Sequence, residues 1–135
     1  MTALAQDRNT PMQEGVLIPV PVAASTKIYA GSLVAANAGG YGVPGSTAAT
    51  LTALGRAEES VDNSAGSAGA KVVTVRRGVF KFANLAADAV TQAELGKTAY
   101  IVDDQTVAKT SGTNTRSAAG KVLGIDADGA WIEIK

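Results

Sequence analysis

The stretch Val72–Phe82, VVTVRRGVFKF, decides the fold class. Valines at 72, 73, 75 and 79 and phenylalanines at 80 and 82 make it β-branched and aromatic throughout, with no helix-favouring run. Side chains alternate along a strand, so Val73 and Val75 share one face and Thr74 and Arg76 the other. Phe80 and Phe82 are the only phenylalanines of the chain. At a spacing of two they point the same way and are expected to anchor the core. Gly78 leaves two geometries open: one long strand kinked by a bulge, or two strands meeting at a corner.

The flanks read as further strands. Towards the N-terminus, Gly15–Ala24 (GVLIPVPVAA) is apolar but holds Pro19 and Pro21, which cannot donate to a ladder. An edge strand or polyproline-like segment fits, with the prolines guarding the edge. Lys27–Asn37 reads as strand, Gly31 turn, strand. Leu51–Val61 reads as a strand with Glu58 and Glu59 near its exposed end, and Asp62–Gly69 as a turn-rich link. Towards the C-terminus, Thr91-Gln92-Ala93-Glu94 has capping-box spacing and ends at Gly96, which predicts one short helical turn. Thr98–Val102 and Thr106–Thr110 form a hairpin about Asp103-Asp104-Gln105. Ser111–Ser117 is a polar loop. Lys121–Ile125 and Ala130–Ile134 flank a turn at 126–129. Trp131 alternates with Glu133, opposite Ile132 and Ile134. Either Trp131 packs on a neighbour or the isoleucine face is core.

Turns every 8–12 residues predict an all-β protein, a small single-domain β-sandwich or barrel with at most one short helical turn. Residues 1–14, polar and aperiodic, form an extended N-terminal arm, and 15–135 a single β-rich domain. The length, 135 residues, suits one domain. A folded chain of this mass exposes roughly 6,500 Å². Aromatic residues are only 4% of the chain. Val, Ile, Leu and Ala must therefore build a shallow core, and association with copies or partners would supplement it.

Composition excludes much chemistry. Twelve basic residues balance twelve acidic ones. The basic excess of a nucleic-acid binder is absent, as is a polybasic membrane segment. No apolar run reaches a membrane span, and the N-terminus lacks the apolar segment of a secretory signal. With no cysteine and no histidine, there is no disulfide, thiolate nucleophile, Cys/His zinc site or His-dependent triad. Residues 40–45 spell G-x-G-x-x-G. That fingerprint needs a buried strand before it and a helix after it, and Pro44 removes a donor, so the segment reads as a glycine-rich surface loop. Asp103-Asp104 and Asp126-x-Asp128 lack the further ligands of a calcium loop and suit turn chemistry. The expectation is no catalytic, cofactor or metal residue, hence no enzyme. Two other readings compete: a carboxylate-dependent hydrolase on Asp103 and Asp104, and a non-catalytic binding module contacting glycan or host surface through Tyr29, Tyr41 and Trp131.

The segments VTVRRGVFKF, TQAELGK, AYIVDDQTVAKT and AGKVLGIDADGAWIEI, spread over roughly Ala57–Ile134, resemble the capsid cement (head decoration) proteins of tailed bacteriophages. The resemblance implies a small β-rich protein without catalysis. Such a protein binds the outer surface of a phage head and clamps major capsid protein subunits, often as a homotrimer. It also implies a virion location, with passage through the host cytoplasm during assembly, and no nucleic-acid or membrane partner. Exposure and charge nominate the contacts: Arg8 and Pro11 on the arm, Tyr41 in the 39–46 loop, and Arg76 and Arg77. Adjacent strand residues face opposite ways, so the two arginines cannot form one clamp if the strand is regular.

Overall fold

The structure, a computed structural model, describes residues 2–135. It is nearly all β, as expected. The Val72–Phe82 stretch takes the corner geometry. It divides into β7 (Val72–Arg76) and β8 (Gly78–Asn84), which belong to different sheets. Arg77 still donates its N–H to the Val16 carbonyl at 2.8 Å. Gly78 already pairs with Ile134. Its φ of +157° is what allows the chain to change sheets between these two ladders.

The first sheet is antiparallel, in the order β1 (Leu17–Pro21), β7, β5 (Thr52–Ala57), β3 (Leu33–Ala36), β4 (Gly42–Pro44). A parallel bridge from Val22 to Gly42 brings the chain beyond β1 back against β4. The two-stranded ladder of β2 (Thr26–Ile28) and β6 (Val61–Asn63) is separate. The other main body is a closed barrel of β8, β9 (Thr98–Ile101), β10 (Thr106–Ala108), β11 (Ala118–Asp126) and β12 (Gly129–Ile134). Its ladders are antiparallel except where β10 joins β8.

β1 is the edge strand that its prolines predict. Val16 accepts from Arg77, and Val22 donates to the Lys71 carbonyl at 2.9 Å. Even-numbered residues of β1 therefore turn their backbone groups to β7. The outward positions 17, 19 and 21 include both prolines. The free edge keeps its carbonyls but has lost two of three donors, so an incoming strand cannot complete a ladder there.

Three expectations need correction. The 39–46 loop contains a strand, β4. The Asn37 side-chain oxygen accepts the N–H groups of Gly39 and Tyr41, each at 3.0 Å, and closes the turn that lays β4 on β3. No helix follows Gly45. The Asp62–Gly69 link begins inside β6 and is pinned by Asn63, which is 1% exposed. Its amide nitrogen donates to the carbonyls of Ala23 and Ser67, each at 3.0 Å. The expected Leu51–Val61 strand divides into β5 and the start of β6, with Glu58 and Glu59 between them.

The capping-box turn is a 3-10 turn at Gln92–Glu94, with the Glu94 carboxylate accepting the Thr91 N–H at 2.7 Å. A second 3-10 turn, Ala86–Asp88, carries no capping hydrogen bond. Among the described residues no helix is long and apolar enough to cross a membrane.

Phe80 and Phe82 lie inside the barrel with centroids 6.4 Å apart, packed with Ile101, Val107, Val122 and Ile132. Ile132 and Ile134 are buried, so the isoleucine face is core and Trp131 points outward. Leu33 and Ala35 of β3 join this barrel cluster. Val73 and Val75 join the cluster under the first sheet with Val20, Val22, Ile28 and Val34. β3 thus serves both cores, because its successive side chains point to opposite faces. The accessible surface is 7736 Å², above the roughly 6,500 Å² expected for this mass. Residues 2–15, exposed throughout, account for the direction of the difference.

Candidate contact surfaces

The nominated contact residues fall in three places. Arg8 and Pro11 lie on the exposed arm, whose one backbone hydrogen bond among the described residues, Thr10 to Arg8, is internal. Arg76 and Arg77 lie at the end of β7, where the Val16–Arg77 hydrogen bond sets the root of the arm beside them. Tyr41 is half-buried just before β4, at the opposite margin of that sheet. The fold therefore brings the arm's root and the two arginines together and leaves Tyr41 apart.

Arg76 has an internal partner. Its Nε donates to the Glu58 carboxylate, which also accepts Arg56 Nη2 at 3.1 and 3.2 Å. Arg56 and Arg76 pair directly across β5 and β7, so both guanidinium groups reach one side, where Glu58 follows the end of β5. Arg56, then Arg76, holds the Glu58 carboxyl below the usual carboxylate range. The Arg56 guanidinium also sits 4.8 Å from the Phe80 ring centroid, which ties the first sheet to the barrel wall. Arg77, on the other face, forms no ion pair among the described residues and is the free cation of the two.

The carboxylates read as candidate acids are turn residues. Asp103 accepts the Gln105 N–H at 2.9 Å. Asp104 accepts the Ser32 hydroxyl at 3.4 Å, and its carbonyl accepts the Leu33 N–H at 2.8 Å. Asp128 accepts Lys81 Nζ at 2.9 Å, and Asp126 accepts the Trp131 indole N–H at 3.0 Å. Among the described residues no three His, Cys, Asp or Glu side chains are grouped to hold a metal ion.

The aromatic residues are not a clear platform. Trp131 is 39% exposed, with Lys81 Nζ 5.7 Å from its ring centroid. Lys81 is held there by Asp126 and Asp128. A sugar stacking on the indole must displace an ammonium from two carboxylates. Tyr29, 58% exposed, is covered in the same way by Lys27 at 4.9 Å.

One polar cluster has no signal in the sequence. The Asp88 carboxylate accepts the Thr110 hydroxyl at 2.5 Å, the Thr110 N–H at 3.1 Å and Arg116 Nη1 at 2.9 Å. Its pKa is lowered, first by the Thr110 hydroxyl. The cluster anchors the 111–117 loop to the 3-10 turn at 86–88. Only the fold brings residues 22 and 28 positions apart into contact.

No family model, no curated protein and no solved structure matches this chain.

Proposed function

We propose that this protein is a capsid cement protein. It acts by contact rather than catalysis, on the outer surface of a phage head, where it stabilises the junctions between major capsid protein subunits. The observation that carries the reading is where the resembling segments fall. VTVRRGVFKF runs from β7 into β8, and AYIVDDQTVAKT and AGKVLGIDADGAWIEI supply β9 with β10 and β11 with β12, so the resembling segments include every strand of the closed barrel. The resemblance thus follows consecutive strands rather than scattered turns. The turn roles of the aspartates agree with it, as does an arm whose Leu4 and Met12 are 72% and 96% exposed. In this reading Arg8, Pro11 and Arg77, with the arm's root, meet the shell, and many copies together reinforce it by avidity.

Co-sedimentation tests the proposal. The purified chain is mixed with expanded empty capsids of its own phage, and with the unexpanded precursor shells. Saturable binding to the expanded shells, weakened by removal of residues 2–14 or by Arg77→Glu, supports the reading. No binding to either shell contradicts it.

A further inference from the structure

One groove remains without an occupant. It measures about 580 Å³ and lies where the first sheet meets the barrel, with Leu51–Ala53, Ala118–Lys121 and Glu133–Lys135 among its walls. Its walls are strands paired over only part of their length. β5 is joined to β7 only through Arg56 and Ala57, which leaves Thr52–Leu54 unpaired on that side. β11 is joined to β12 from Lys121 onward, which leaves Ala118–Gly120 unpaired on that side. Small residues floor the space: Ala53, Ala118, Ala119 and Gly120. A Cβ on Gly120 would stand 2.2 Å from the Glu133 carbonyl, so the floor cannot be filled from within. An extended segment with a long apolar side chain fits such a slot, by the chemistry of strand addition.

The chain contains a segment of that kind. Among the described residues the arm makes no backbone hydrogen bond to the body, and Met12 is its most exposed large hydrophobic side chain, at 96%. An unbranched methionine adapts to an irregular gap. Glu14, two residues on, shares its face in an extended chain. The groove's rim offers cations to meet it: Lys121, which pairs with no carboxylate among the described residues, and Lys135, whose Nζ is 3.8 Å from Glu133. The arm's root is also beside the groove. Val16 bonds Arg77, and the next residue, Gly78, pairs with Ile134 of the groove wall. Although rooted beside the groove, the arm is exposed over residues 2–17 and lines none of it, which leaves the slot open to the arm of another copy.

We propose that the groove receives the N-terminal arm of a second copy of this chain, with Met12 in the slot and Glu14 at the lysine rim. Copies are thereby linked by arm exchange. The arm serves both readings, but this association is read on the isolated protein without capsids, so its failure and the failure of capsid binding are separate outcomes.

The absence of cysteine makes the test direct. Two single variants are prepared, Met12→Cys and Ala118→Cys, mixed in equal amounts and oxidised. Any disulfide between the two variants joins two chains. A Met12→Cys/Ser64→Cys mixture measures random collision. Light scattering on the full chain and on a chain lacking residues 2–14 accompanies it. The proposal expects cross-linking of the first mixture at least tenfold faster than the control, and association of the full chain that is lost on arm removal. A monomeric full chain overturns it. So does cross-linking at the control rate, or a double Met12→Cys/Ala118→Cys chain that closes its disulfide internally while the mixture does not react.

Discussion

Asn63 shows how much one buried side chain can organise. Its amide nitrogen reaches the carbonyls of Ala23 and Ser67, so a single group ties β6, the end of β1 and the following loop. Its oxygen faces Gly66, where a Cβ would lie 2.0 Å away. Asn63→Ala strands those carbonyls without a donor and is expected to cost about 2–3 kcal/mol in urea unfolding. Gly55 is the second sensitive position. At φ +153°, an added Cβ would stand 2.2 Å from the Arg76 carbonyl. Gly55→Ala is expected to cost more than about 1 kcal/mol, measured in the same way. Both residues sit in stretches whose sequences read as a turn-rich link and as an ordinary strand, so their importance was not legible. A glycine required by a carbonyl on a distant strand looks like any other glycine.

At the scale of the element, charge and proline placement make separate predictions. Glu58 has its pKa lowered by Arg56 and Arg76, and Asp88 by Thr110 and Arg116. A depressed carboxyl pKa means that the unfolded chain binds more protons as acid is added. The stability these groups contribute is present above their unfolded pKa values, near 4. It is lost as pH falls through the lower folded values. With no histidine in the chain, no side chain of ordinary pKa titrates between about pH 6 and 8. The melting temperature is expected to be flat across that window and to fall below about pH 4.5. In Glu58→Gln, calorimetry should show a smaller acid-induced drop than in the wild type. For β1, Pro19→Thr with Pro21→Thr restores two outward donors. The expected result is a loss of less than about 1 kcal/mol per site, together with faster aggregation by turbidity at 37 °C.

Strands and their order of appearance were largely legible, because period-two alternation and turn residues are local signals. The proline edge, the Asp103–Gln105 hairpin and the outward-facing carboxylate turns follow from residue type alone. Which sheet each strand joins did not follow. The corner at Gly78 depends on Ile134, 56 positions later, being available as a partner. β4 was hidden because a three-residue strand holding a glycine and a proline has a loop's composition. The triad of Arg56, Glu58 and Arg76 was hidden because it depends on the cross-strand register that pairs Arg56 with Arg76. Among the nominated contact residues, the exposed arm was legible in the sequence, but the ion pair that distinguishes Arg76 from Arg77 was not.

As a whole, the molecule is two β bodies that share a strand's worth of core. Leu33 and Ala35 of the first sheet lie in the barrel cluster, and the chain passes directly from β7 to β8. The two bodies are therefore expected to unfold together. Ile132→Ala, fully buried in the barrel, should cost about 2–5 kcal/mol. The loss should be equal by Trp131 fluorescence, which reports the barrel, and by far-ultraviolet circular dichroism, which reports both bodies. Two separated transitions would contradict a shared core. Most of its acids serve turns or ion pairs, whereas among the described residues only Arg56, Arg76, Lys81, Arg116 and Lys135 of its cations are ion-paired.

The claim that this protein works by occupying the outside of a shell is tested most directly by a reconstruction of expanded capsids with and without it. The account predicts added density of this two-body β shape on the exterior, seated over junctions between capsid subunits. Identical exteriors in the two reconstructions, at protein concentrations well above the shell's subunit concentration, would contradict it.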